Sequence, residues 1–149
     1  MAVQVRLNNQ TNKLILSDDS LVRNGTIAQY AGRTTPILQN TVVAFNATNR
    51  QWVPFNSLVQ TNGESVPRGI YLGDDLLAAD VADDDIEDCA ILVGNATVDE
   101  DLLIWDDDTL SANSIVNPAT IEARTAMYAL VESTGIFIED TIAISEQEN

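Results

Sequence analysis

Between residues 69 and 149 the chain carries one basic residue, Arg124, against twenty acidic ones, a net of −19, and this imbalance limits what that half can fold into. Residues 1–68 hold six cations (Arg6, Lys13, Arg23, Arg33, Arg50, Arg68) against three acids (Asp18, Asp19, Glu64), a net of +3, which together with the second half gives −16. A carboxylate buried without a partner costs several kcal/mol. The second half must therefore stand its acids in water or against cations. Its apolar residues fall in short runs between those acids, such as Ala90-Ile91-Leu92-Val93 and Leu102-Leu103-Ile104-Trp105, each the length of a buried strand. The pattern predicts a mainly β chain with charged turns and two unlike sides, one fit to dock and the other displayed.

At 149 residues there is room for one domain plus an arm. A chain of this length buries roughly 68–70% of its unfolded surface and needs no metal or disulfide staple. Cys89 is the single cysteine, which excludes an internal disulfide; beside Ala90 and Ile91 it reads as a small core residue. The acidic balance argues against nucleic acid, because a phosphate-tracking surface needs clustered Lys and Arg and this chain has one Lys. An anionic membrane surface is disfavoured for the same reason. Neither a basic-then-apolar leader pattern nor an 18-residue apolar run occurs in the sequence. The expectation is synthesis in a cytoplasm, with no membrane partner.

Along the chain, residues 1–35 are thin in large apolar groups. Val3, Val5 and Leu7 alternate at period two, and Leu14-Ile15-Leu16 forms a second apolar run. Asn8-Asn9-Gln10-Thr11-Asn12 and Asn24-Gly25 are turn chemistry. Residues 1–35 read as an extended arm that orders by adding to a sheet edge, its own or a partner's. The alternative is an ordinary first pair of strands. Residues 36–149 read as the acidic β-rich domain. Within it, residues 41–45 and 51–55 form a hairpin around the polar turn at 46–50, with Pro54 where a sheet edge tolerates it. Residues 66–73 and 90–94 are further strands, with 97–98 extending the second, and the acidic stretch 74–88 reads as loop. The helix signal lies at about 118–134: Asn117 as cap, Pro118 in the first turn, Ala123, Met127 and Leu130 at helical spacing, and Gly135 as the stop. A last strand follows from Ile136.

The chain has no histidine, so imidazole acid–base pairs, histidine triads and imidazole metal sites are impossible. It also lacks a Gly-rich phosphate loop and a G-x-S-x-G elbow. No enzyme and no cofactor is expected. The acidic runs leave Asp83, Asp85, Asp106 and Asp108 as candidate oxygen ligands for calcium, although neither run has the EF-hand spacing and adjacent Asp residues usually form a solvated loop.

Four stretches resemble the head decoration proteins of tailed phages, the family of the lambda head decoration protein. They are the hairpin Val42-Val43-Ala44-Phe45 with Trp52-Val53-Pro54, then Pro67-Arg68-Gly69-Ile70-Tyr71-Leu72 with Asp74 and Ala78-Ala79, then the run from Asp88 through Ile91, Val93 and Gly94 to Asn95, and last Ala129-Leu130 with Gly135-Ile136-Phe137-Ile138. Residues 99–108 and the longer N-terminal region depart from the family's pattern. The resemblance implies a compact β-clip or β-barrel-like fold with one short C-terminal helix. It implies that the chain decorates the outside of a phage capsid as homotrimers, with the major capsid protein as partner. The arm residues Val3, Val5, Arg6, Leu7, Leu14, Ile15 and Leu16 would then pair with capsid strands. The base of a head fibre, or a calcium-dependent adhesion or glycan-binding module, is the alternative.

Overall fold

A computed structural model describes residues 14–17, 19–56, 62–106, 129–130 and 132–139. Seven strands lie among them: β1 (Leu21–Ile27), β2 (Val42–Asn46), β3 (Gln51–Pro54), β4 (Pro67–Tyr71), β5 (Ile86–Gly94), β6 (Ala96–Asp99) and β7 (Ile136–Glu139), with a short helix α1 (Ala78–Asp83) and a 3₁₀ turn (Glu100–Leu102). The chain is mainly β, as its short apolar runs predict. Strands β1-β3-β2-β4-β5 close into a barrel, and β6 and β7 form a separate two-stranded parallel sheet.

Period-two alternation explains why continuous apolar runs form this barrel. In a strand, successive side chains point to opposite faces. Val43, Tyr71, Cys89 and Ile91 join Ile27, Ile37 and Val81 in one buried cluster, against which Trp52 packs. Their immediate neighbours Val42, Ile70 and Leu92 enter a second cluster with Leu14, Phe55, Val98, Leu103, Trp105, Leu130 and Ile136. The first cluster fills the barrel; the second lies between the barrel wall and the β6–β7 sheet. Strands buried on both faces cannot alternate apolar with polar residues, so Val42-Val43, Ile70-Tyr71 and Ile91-Leu92 read as runs.

Two glycines make the barrel interior possible. The Trp52 ring lies over β1 and β4, where a Cβ on Gly25 would come within 2.6 Å of Trp52 Cδ1 and one on Gly69 within 2.8 Å of the Leu92 carbonyl oxygen. Phe45, directly opposite Trp52 in the hairpin, meets it edge-to-face with centroids 5.2 Å apart. The hairpin pairs Val43 with Pro54 and Asn46 with Gln51, so Asn46 closes the ladder and the turn proper is 47–50. Its turn is held by Asn46, whose Oδ1 accepts the N–H groups of Thr48 and Asn49, and closes at Arg50 with φ 60°.

Three expectations need correction. The arm does not extend to residue 35: β1 pairs antiparallel with β5 from Leu21↔Gly94 to Ile27↔Ile86 and closes the barrel. The first four residues of β1 are exposed and only Ile27 is buried. Backbone pairing rather than apolar burial holds this strand, so hydrophobicity did not reveal it. Asn24-Gly25 accordingly lies inside a strand and not in a turn. The stretch 74–88 is not all loop, because α1 buries Val81 and residues 86–88 already belong to β5. Of the helix expected over 118–134, residues 129–130 and 132–134 are helical, and the remainder lies outside the described residues. Gly135 ends it with φ 74°, where an added Cβ would meet nothing within 4 Å.

Candidate functional site

The docking segment expected at Val3, Val5, Arg6 and Leu7 lies outside the described residues, but its root does not. Leu14 is 5% exposed and sits in the larger core cluster. Ile15 bridges antiparallel to Val98. The Leu16 N–H donates to the Thr97 carbonyl at 2.7 Å, and the Asp99 N–H donates to the Leu14 carbonyl at 2.8 Å. The apolar run 14–16 is thus a third strand-like element against β6 and pairs with the domain's own sheet. Leu14, Ile15 and Leu16, expected in the docking arm, are thus tied to the domain's own sheet.

The residues of the family resemblance occupy the barrel and its outer core. Gly69 and Ile70 are in β4 with Leu72 directly after it; Ile91, Val93 and Gly94 are in β5. Leu130, Gly135 and Ile136 carry the chain from the helical turn into β7, which runs parallel to β6 from Ala96↔Ile136 to Asp99↔Glu139. These residues build the fold and none presents chemistry.

The candidate calcium ligands are not brought together. Asp85 accepts the Gln29 N–H and the Gln51 side-chain amide, at 2.8 and 2.9 Å, tying β1 and β3 to the loop before β5. Asp106 pairs with Arg33 in a two-pronged ion pair. Asp83 is exposed and uses its backbone carbonyl to accept the Gln29 amide. Asp108 lies outside the described residues. Among the described residues no three acidic or sulfur side chains converge as a metal site would require. Among them, too, no helix is long and apolar enough to cross a membrane.

The cleft at the barrel's edge, around Arg33, was not visible in the sequence. Its guanidinium donates to Asp106 through both terminal nitrogens, to the Thr35 carbonyl through Nε at 2.6 Å, and to the Pro36 carbonyl at 2.9 Å. Two clefts, of about 370 and 520 Å³, open on either side of this pair, and Tyr30, Arg33, Asn56 and Asp106 line both. Arg33 and Asp106 are 73 positions apart, so no local pattern could have joined them. The one available signal was Arg33's rarity as a cation.

Two other ionisable groups, Tyr71 and Cys89, are structural. Burial, reinforced by the nearby Cys89, Asp74 and Asp75, pushes the Tyr71 phenol up to about 12. Its hydroxyl donates to the Asp74 carbonyl, closing the turn after β4. A phenol with a folded pKa above its unfolded value of 10 favours the protonated folded state. Its contribution is complete below pH 10 and disappears as pH rises through about 12. Tyr71→Phe should therefore flatten the alkaline fall in stability, read as melting temperature against pH. Burial likewise raises the free Cys89 thiol, whose Sγ lies 3.3 Å from the Ile86 carbonyl, so this cysteine is a core group rather than a nucleophile.

No protein-family model and no curated protein matches this chain.

Proposed function

We propose that this chain is a structural virion protein that binds the outer surface of a phage capsid, together with the major capsid protein, and stabilises the expanded shell as homotrimers. The observation that carries the reading is the charge split, a net of +3 over residues 1–68 against −19 over residues 69–149. The resemblance of the hairpin, the Gly69-Ile70 strand, the Ile91–Gly94 run and the Gly135-Ile136 step to head decoration proteins supports it. So does the anchored root: residues 14–16 pair with β6, and Val3, Val5, Arg6 and Leu7 precede them in the sequence.

The mechanism is physical. Internal pressure from packaged DNA strains the joints between capsid subunits. A protein that binds only the expanded arrangement stabilises that arrangement by mass action. Three arms on one trimer raise each other's effective concentration, so each can be weak alone. The acidic side repels its neighbours over about 8 Å at physiological salt and keeps crowded particles apart.

The test uses expanded shells stripped of this protein. Added full-length protein should raise the temperature at which shells release DNA, and a variant lacking residues 1–13 should bind weakly and leave it unchanged. Full protection by the shortened protein would place the docking surface on the barrel and end the assignment to Val3, Val5, Arg6 and Leu7. No binding by either would refute the capsid reading itself.

A further inference from the structure

The first part of β1 is an open strand edge. Leu21, Val22, Arg23 and Asn24 pair with Gly94, Leu92, Ile91 and Ala90 of β5 on one side. On the other side β1 meets β3 only at Ile27↔Trp52. Counting back along these two parallel strands sets Gly25 level with Arg50, where the hairpin turn ends. Residues 21–24 therefore run on past the hairpin, with no strand beside them among the described residues. All four are exposed, Leu21 and Val22 to 44% each. A strand edge that shows apolar side chains is a template for another strand, and folds ordinarily cover or blunt it.

Arg23 decides which strand fits. It is exposed and, among the described residues, holds no ion pair, although the chain has a net charge of −16. Arg50, at the turn beside this edge, is likewise exposed and without an ion pair there. Two β1 edges meeting each other would bring like charges onto facing strands, which is destabilising. The strand that suits this edge is apolar and acidic.

The sequence holds such a stretch after β7. Residues 140–149 carry Asp140, Glu146 and Glu148 and no cation. Asp140, Ile142, Ile144 and Glu146 recur at period two, so in a strand they share a face. Leu21 and Arg23 share a face of β1 in the same way. Antiparallel addition sets Ile142 against Leu21 and Asp140 against Arg23. Parallel addition sets Ile144 against Leu21 and Glu146 against Arg23. Either direction joins apolar to apolar and carboxylate to guanidinium, the cross-strand pairs that stabilise a sheet.

Reach favours a second molecule. The β6–β7 sheet starts at Ala96↔Ile136, next to Gly94, and ends at Asp99↔Glu139. Leu21 lies opposite Gly94. To meet Leu21 of its own molecule, the chain after Glu139 must reverse and retrace the length of β7. A tight turn and a return of about 13 Å use about six residues, which carries Ile142 and Ile144 past in the reversal. A second copy imposes no such turn. Repulsion between two acidic bodies is screened beyond about 8 Å at physiological salt.

We propose that residues 140–149 of one copy add as a strand to the β1 edge of a second copy, beside Leu21 and Arg23. The contact is heterologous, each copy giving one strand and receiving one. It concerns the isolated protein and holds whether or not the chain docks on a capsid.

Two variants separate the halves of the contact. Arg23→Glu keeps the donated stretch and spoils the edge; removal of residues 140–149 keeps the edge and deletes the stretch. In analytical ultracentrifugation at physiological salt, the wild type should associate reversibly as its concentration rises. Each variant alone should associate at least about tenfold more weakly, the effect of replacing a facing opposite-charge pair by a like-charge one or by nothing. Mixed, the two should form a one-to-one complex, because one supplies the strand and the other the edge. Should the shortened protein fail to fold, the double variant Ile142→Asp with Ile144→Asp takes its place. The proposal is overturned if the wild type stays monomeric at every concentration, or if Arg23→Glu associates as well as the wild type. It is also overturned if the mixed variants ignore each other, which would leave the stretch on its own molecule or away from β1.

Discussion

Gly69→Ala is expected to lower the unfolding free energy by about 3 kcal/mol, the upper end of what overpacking costs, and Gly69→Val is expected to yield no folded protein. The added methyl would lie 2.8 Å from the Leu92 carbonyl, 2.9 Å from Ile91 Cγ2 and 3.2 Å from Trp52 Cζ3. The first contact is the decisive one. A carbonyl held in the β4–β5 pairing cannot swing aside as a side-chain tip can, and Ile70↔Leu92 is one of that pairing's registers. Gly135→Ala supplies the control. Its Cβ would meet nothing within 4 Å, so only the left-handed backbone at φ 74° resists it, at about 1 kcal/mol. Urea denaturation of the two variants measures the difference. Equal losses would mean that Gly69 is not pressed against β5 and that the barrel is looser than described.

Leu14→Ala is expected to cost about 2–5 kcal/mol, the range for truncating a buried leucine. Leu14 is 5% exposed and packs in the same cluster as Val98, Leu103 and Leu130. Removal of residues 1–13, which stops short of that side chain, should leave stability within about 0.5 kcal/mol. Removal of residues 1–16 should destabilise at least as much as Leu14→Ala, because it also deletes the two backbone hydrogen bonds to Thr97 and Asp99. This places a sharp boundary between an anchored root and the segment assigned to docking. If removal of residues 1–13 cost as much as removal of residues 1–16, the boundary would be wrong and the upstream residues would belong to the fold.

These two sites show what the sequence could and could not convey. The hairpin was legible because its turn chemistry is local: Asn46 caps its own turn within three residues. The strands ending at Tyr71 and Gly94 were legible because burial on both faces leaves unbroken apolar runs. β1 was not, since it buries only Ile27 and is held by hydrogen bonds to β5, 59 to 73 positions away from Ile27↔Ile86 to Leu21↔Gly94. Gly25 looked like a turn because the ring that requires it, Trp52, lies across the barrel. The run 14–16 could have paired with its own sheet or a partner's, and apolarity alone cannot distinguish the two. Its pairing with β6 is a long-range fact. The Arg33–Asp106 cleft depends on a contact 73 positions apart and left no periodic trace. The acidic stretch 99–108 looked like an insertion, yet it delivers Leu103 and Trp105 to the core while Asp99 caps the 3₁₀ turn by accepting the Asp101 N–H.

The capsid reading is tested most directly by counting. Virions from the source lysate, purified on a density gradient, would be digested and this protein quantified against the major capsid protein by mass spectrometry. A decoration protein is expected at a ratio on the order of one copy per capsid subunit, as mass-action stabilisation of every joint requires. Absence from the particle, or only a few copies on each, would contradict the claim that this chain reinforces the shell.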